Sequence, residues 1–187
     1  NWLVCICAKY ADWKYNFNLY LLVVSDFFTK TDLSRKDAEN IISETLNNCD
    51  DGELYLENSK SESIVLDDDK IKSSSYSSDL GYGLRAVTGE VVAYSHSNEI
   101  SKKSLKQSAN NISSTLKSQK GVYNHEIPKT NEKLYKDVNP IEEKSLQSKL
   151  ELLKEVNNYT RAKSGIVQQV TASFAGEYKS IEIIRSG

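Results

Sequence analysis

The chain has 187 residues, enough for one domain with a substantial core, and its 24 basic and 26 acidic residues leave a net charge of −2. That balance, with no basic stripe interleaved with aromatics, argues against nucleic-acid binding. The three cysteines, Cys5, Cys7 and Cys49, make no disulfide framework and point to a reducing compartment.

The chain opens on Asn1 and contains no methionine, so a processed N-terminus or a fragment is expected. Residues 1–25 are rich in aromatics and unlike the remainder of the chain. They read as an N-terminal extension not native to the domain, which is expected over 26–187. The apolar runs at 2–8 and 19–24 are too short to cross a bilayer, and Lys9, Asp12 and Lys14 interrupt them. No basic segment leads into an apolar run in the manner of a secretory signal. A membrane partner is therefore not expected.

Ser34 followed by Asp37 has the spacing of a capping box. Ala38, Ile41, Ile42, Leu46 and Cys49 then mark one helical face, and Asp51-Gly52 is expected to end that helix. From 53 to 97 the period changes to two. Leu54 and Leu56 alternate, then Ile64 and Leu66, then Leu80, Tyr82, Leu84 and Ala86, then Val92 and Tyr94. Turn chemistry at Asp67-Asp68-Asp69-Lys70 and at Thr88-Gly89-Glu90 separates the runs. Short connections join antiparallel strands, so the block reads as a meander of about five short strands. One face is expected to be covered, since Glu53, Glu57, Ser59, Ser73 and Ser75 occupy the other. Residues 72–79 are polar on both faces and read as an exposed or edge strand with weakly specified register.

Ser101 can cap a helix with the stripe Leu105, Ala109, Ile112 and Leu116. A third helix is expected to start with Asn139 at its cap, Pro140 in its first turn and Glu142 and Glu143 beside its positive end. Its stripe is Leu146, Leu150, Leu153 and Val156, its Lys/Glu faces read as solvated, and Gly165 is expected to close it. Val170, Ala172 and Phe174, a turn at Gly176-Glu177, and Ile181 and Ile183 suggest a further C-terminal strand pair. The order of elements is that of an α+β fold, an antiparallel sheet packed by helices.

Four residues stand out as structural or interface candidates. Gly81 and Gly83 could form an anion-binding turn, but without a following helix they read as a bulge or a close backbone approach. Arg85 lies on a strand that reads as central, so it needs a carboxylate such as Glu62 or Glu90, or a domain interface. Gly89 belongs to a turn. Asp67, Asp68 and Asp69 lack the loop pattern of a calcium site and read as a hairpin turn. His96 reads as a surface residue and His125 as a loop residue. No catalytic or metal-ligating set emerges.

The stretches Gly52-Glu53-Leu54-Tyr55-Leu56-Glu57, Glu62-Ser63-Ile64-Val65-Leu66-Asp67-Asp68 and Leu80-Gly81-Tyr82-Gly83-Leu84-Arg85-Ala86-Val87-Thr88-Gly89-Glu90 resemble the N-terminal domain of the TldD/PmbA family, on its TldD branch. Ser104-Leu105-Lys106-Gln107-Ser108-Ala109, Asp137-Val138-Asn139-Pro140 and Val170-Thr171-Ala172-Ser173-Phe174-Ala175-Gly176 extend the likeness from about residue 26 to 187. The resemblance implies a cytoplasmic zinc metallopeptidase acting on peptides and unfolded segments, paired with a PmbA-like (TldE) paralogue or with itself. In that family zinc is held by a His-Glu-x-x-x-His helix and a later Cys, in a C-terminal half. Two imidazoles one turn apart bind the metal, and the Glu between them polarises its water. His125-Glu126 is followed by Ile127-Pro128-Lys129-Thr130, so no position here matches the motif. The chain is therefore expected to hold no cofactor, to be inactive alone, and to help form a peptide-access wall and dimer contacts. Two other readings stay open: a stand-alone module whose sheet edge accepts an extended peptide, and a non-functional remnant of a split gene.

Overall fold

A computed structural model describes residues 27–29, 31–116 and 139–185. The expectations placed on residues 1–25, on Cys5 and Cys7 and on His125 lie outside those residues. The elements run α1 (Arg35–Leu46), β1 (Asp51–Asp67), β2 (Lys70–Thr88), β3 (Val91–Ser97), α2 (Lys102–Leu116), α3 (Leu146–Lys163) and β4 (Thr171–Ile184). The strands form one antiparallel sheet in the order β3-β2-β1-β4. The α+β class and the meander of the first three strands are as the sequence suggests.

The strands are fewer and longer than their apolar runs imply. Residues 58–61, polar between Leu56 and Ile64, stay extended inside β1, and the serine-rich run stays extended inside β2. Polarity there reports partial exposure in β1 and full exposure in β2, not chain reversal. The real reversals carry positive φ: Asp68 at 46° and Asp69 at 63° join β1 to β2, and Gly89 at 59° joins β2 to β3. Gly176 has no such geometry, so the expected C-terminal pair is the single strand β4.

The chain divides into two compact units, and the division cuts across β1, β2 and β4. Among the described residues, one unit holds α1, β3, α2, residues 51–59 of β1, 79–88 of β2 and 179–184 of β4. Ser34 caps α1, accepting from the Asp37 amide at 3.1 Å while its hydroxyl donates to the Asp37 carboxylate at 2.8 Å. Ser101 caps α2 by accepting from the Ser104 amide at 3.1 Å. Ala38, Ile42 and Leu46 of α1 and Leu105 and Ile112 of α2 meet Leu54, Leu56, Tyr82 and Leu84 in one buried core. Each such leucine contributes about 1.5–3 kcal/mol by leaving water. Leu54, Leu56 and Leu84 are fully buried. Strand β3 reverses the expected parity. Ala93, opposite Ala86, faces the core, while Val92 and Tyr94 are 60% and 65% exposed. The Tyr82 hydroxyl enters this core with partners, Ser104 and Ser108, each 2.9 Å away.

The other unit holds residues 60–67 of β1, 70–78 of β2, α3 and 171–178 of β4. Ile64, Leu66, Leu153 and Ala172 form its core. Helix α3 starts later than expected. Its cap is Ser145, which accepts from the Ser148 amide at 3.2 Å, whereas Asn139 accepts from the Ile141 amide at 3.1 Å and caps only a turn. Consequently Leu146, at the first helical position, is half exposed. Lys149, on a helix whose charged faces read as solvated, is buried instead. Its ammonium pairs with the Glu62 carboxylate, donates to the Ile141 carbonyl at 2.6 Å and lies 5.6 Å from the Phe174 ring centre. Helical spacing explains the placement: Lys149 lies four residues before the buried Leu153, on the same side of the helix. The helix ends at Ser164, in extended conformation, just before Gly165.

Removing one member of the Lys149–Glu62 pair strands the other charge. Lys149→Met is expected to destabilise the protein by about 3–5 kcal/mol in urea unfolding, and adding Glu62→Leu to recover most of that loss.

Candidate functional site

The open side of the sheet in the first unit brings together the residues singled out by sequence. Odd-numbered positions of β1 and β2 point away from the helices, which places Asp51, Glu53, Tyr55 and Glu57 beside Gly81, Gly83 and Arg85. Arg85 does find carboxylates, but not Glu62 or Glu90. Its Nη2 lies 2.6 Å from Asp51 Oδ2 and its Nε 3.4 Å from Glu53 Oε1. Glu53 is shared, since Arg185 Nη2 of the segment after β4 reaches its other oxygen at 2.7 Å. Glu62 is engaged by Lys149. The difference has a simple origin: the pairing of β1 with β2, not distance in sequence, sets which acid faces Arg85.

At Asp51, burial works against the charge, but the hydrogen bond and charge of Arg85 outweigh it and hold the carboxyl below its ordinary value. Asp50 secures the β2–β3 turn: its Oδ2 accepts from the Gly89 amide at 2.6 Å. Gly89, at φ 59°, is required by that turn.

Gly81 and Gly83 are sites of close approach. A Cβ at Gly81 would lie 2.9 Å from the Ser97 carbonyl oxygen, and one at Gly83 would lie 2.5 Å from the Tyr94 hydroxyl. Tyr94 therefore lies across Gly83, a ring covering a strand glycine, and it stacks on His96 with centroids 5.8 Å apart. His96 is exposed, as its position at a strand end suggests.

These residues border a surface hollow of about 380 Å³, lined by Tyr55, Glu57, Asp79, Gly81, Tyr94 and Asn98 among others. The Tyr55 hydroxyl donates to Glu57 at 2.5 Å. That bond, with burial and the neighbouring charge, pushes the phenol up to about 12. The same bond holds Glu57 below the usual carboxylate value, against burial and with help from Lys179 at 3.3 Å. Around neutral pH the hollow thus offers a neutral phenol and a carboxylate. It suits hydrogen bonding to a ligand better than proton transfer, which favours groups titrating near the working pH. Sequence reasoning missed Tyr55 and Glu57 as a pair; their i, i+2 spacing on a strand was the available signal.

A zinc site needs three or four nitrogen, sulfur or oxygen ligands converging within about 2.3 Å of the metal. Among the described residues no group of three His, Cys, Asp or Glu side chains is placed to do so. The described residues do not suit a zinc ion. Among them, also, no helix is long and apolar enough to cross a membrane.

Residues 52–115 match the family model described as PmbA/TldA metallopeptidase domain 1. A metalloprotease TldD homolog of Buchnera aphidicola subsp. Acyrthosiphon pisum is 36% identical over 133 residues, covering 71% of this chain and 28% of the relative. A metalloprotease TldD homolog of Haemophilus influenzae is 31% identical over 169 residues, covering 87% of this chain and 34% of the relative. In solved structures the fold is similar to TldE from Thermococcus kodakarensis, with a TM-score of 0.52 at 15% identity over 79% of this chain and 34% of that one. It is also similar to a candidate modulator of DNA gyrase from Bacteroides thetaiotaomicron, with a TM-score of 0.58 at 19% identity over 80% of this chain and 36% of that one. The chain therefore spans about a third of the length of the proteins it matches.

The shift at Asp51 sets an acid limit. A carboxyl whose folded value is lowered contributes stability above its unfolded value of 3.8 and loses it as pH falls through the folded one. The melting temperature is expected to hold down to about pH 5 and then fall. Asp51→Asn should make that fall shallower, as followed by circular dichroism across a pH series.

Proposed function

Since the chain belongs to the PmbA/TldD metallopeptidase family, through that family's first domain, we propose that it is the non-catalytic, N-terminal portion of a TldD-like zinc metallopeptidase. The observation that carries the reading is the match of residues 52–115 to the family's first domain. Its part in proteolysis is to help shape the path by which peptides and unfolded segments reach a catalytic site, and to contribute to dimer assembly. Support for assembly comes from the uncovered side of the sheet. Val92, Tyr94, Ile181 and Ile183 are each about half exposed or more, and the Asp51–Arg85–Glu53–Arg185 ion chain borders them. Apolar side chains beside satisfied charges are the composition of a protein–protein contact. The partner is a TldE/PmbA-like paralogue, in keeping with the likeness to TldE, or a second copy. A cytoplasmic location follows from the same reading.

The purified chain is expected neither to bind zinc stoichiometrically nor to cleave peptides. Metal analysis showing one tight zinc per chain, or turnover of a casein-derived peptide mixture, would refute the non-catalytic role.

The domain itself is proposed to span 26–187, with residues 1–25 an extension. A chain lacking residues 1–25 should keep its melting temperature. A large drop in that temperature would assign the segment to the core.

A further inference from the structure

The hollow on the open side of the sheet joins aromatic walls to carboxylates, and every residue lining it belongs to the first unit. Gly81 and Gly83 bring no side chain to it, so its walls come from the neighbouring strands: Tyr55 and Glu57 of β1 and Tyr94 of β3. Tyr94 is held in place. Its ring lies against Gly83 and stacks on His96, yet it stays 65% exposed. A ring fixed in position and open to solvent offers its surface to a ligand at little conformational cost.

The charges of the hollow are unevenly met. Glu57 accepts from the Tyr55 hydroxyl and pairs with Lys179 at 3.3 Å. Asp79 also lines the hollow, and among the described residues it has no hydrogen-bond or ion-pair partner. Two carboxylates against one ammonium leave a surplus negative charge. An anion is repelled there, and an apolar ligand would desolvate a carboxylate without pairing it. A calcium ion takes about six or more oxygen ligands, and no group of three acidic, histidine or cysteine side chains converges among the described residues. An organic cation remains. The volume of about 380 Å³ lies at the lower end of small-ligand pockets, roughly 300–1,000 Å³. The phenol rings then choose between cations. A guanidinium is planar and weakly hydrated, and it stacks on an aromatic ring while its fork pairs with a carboxylate; an ammonium is a strongly hydrated point charge.

We propose that this hollow binds a guanidinium group, the side chain of an arginine in a polypeptide, stacked on Tyr94 and paired with Asp79. The choice of a polypeptide as bearer rests on the metallopeptidase reading; the guanidinium chemistry does not. The test reads binding of small probes, not zinc or hydrolysis, so the two fail separately.

The probes are Nα-acetyl-L-arginine N-methylamide, its neutral isostere with citrulline, its lysine counterpart, and free L-arginine. Titrated into the isotope-labelled 187-residue chain, the arginine probe should give saturable shifts of the Gly81, Gly83 and Tyr94 amide resonances, with a Kd in the millimolar range of a small fragment. The citrulline probe should bind at least about fivefold more weakly, since it brings no charge to Asp79. The lysine probe should bind at least about threefold more weakly, since it cannot stack as a plane. Asp79→Asn and Tyr94→Leu should each weaken the arginine probe about threefold or more. Both side chains are exposed, so the urea midpoint should not move. Free L-arginine should bind no more tightly than the blocked probe. The proposal is overturned by absence of saturable shifts, by equal affinity for the citrulline or the lysine probe, or by undiminished binding in either variant. Free L-arginine binding about tenfold more tightly than the blocked probe would also overturn it, by giving the hollow to a free amino acid.

Discussion

A strand has two faces, and β1 holds one parity over its 17 residues. Its even-numbered residues feed both cores, Leu54 and Leu56 one of them, Ile64 and Leu66 the other. Its odd-numbered residues Asp51, Glu53, Tyr55 and Glu57 are left to the open side. A register slip of one residue would send all the leucines to water and the acids to the core. Two turns prevent it. The Asp68-Asp69 turn carries positive φ at both residues, and the Asp68 carboxylate is held by Arg161 and by the Val170 amide at 3.0 Å. Gly89 gives the other turn, clasped by Asp50.

Because the open side is made of alternate residues, its charges arrive in rows and must be neutralised in rows. Arg85 takes Asp51 and Glu53, Arg185 takes the second oxygen of Glu53, and Lys179 takes Glu57. These pairs are partly solvated, so each contributes little stability by itself. Their effect is to fix positions, leaving a surface of satisfied charges, tyrosine rings and exposed aliphatics. The Lys149–Glu62 pair is different in kind. It is buried, and it takes the Ile141 carbonyl into its network, so it ties the turn before α3 to the sheet of its own unit.

Such a surface suits hydrogen bonding better than proton transfer. A phenol raised to about 12 and a lowered carboxylate are each fixed in one protonation state over the physiological range. They can donate or accept hydrogen bonds but are poor carriers of a proton.

Local rules were enough for several features, because their partners are close in sequence. Ser34 and Ser101 cap helices through residues three positions on, the stripes of α1 and α2 are buried as spaced, and the Asp68-Asp69 and Gly89 turns lie where their residue types demand. The family was legible too, in the motifs around Gly81 and Gly89. Other features belong to the tertiary structure. The sequence points to Asn139 as the cap of α3, whereas in the structure Ile141 and Lys149 pack together and Ser145 starts the helix. The partners of Arg85, the outward turn of Tyr94 and the fusion of short apolar runs into long strands all depend on which strand lies alongside. Strand pairing joins residues tens of positions apart, and the free energy that decides it appears only once the backbone edges and the buried faces are satisfied together.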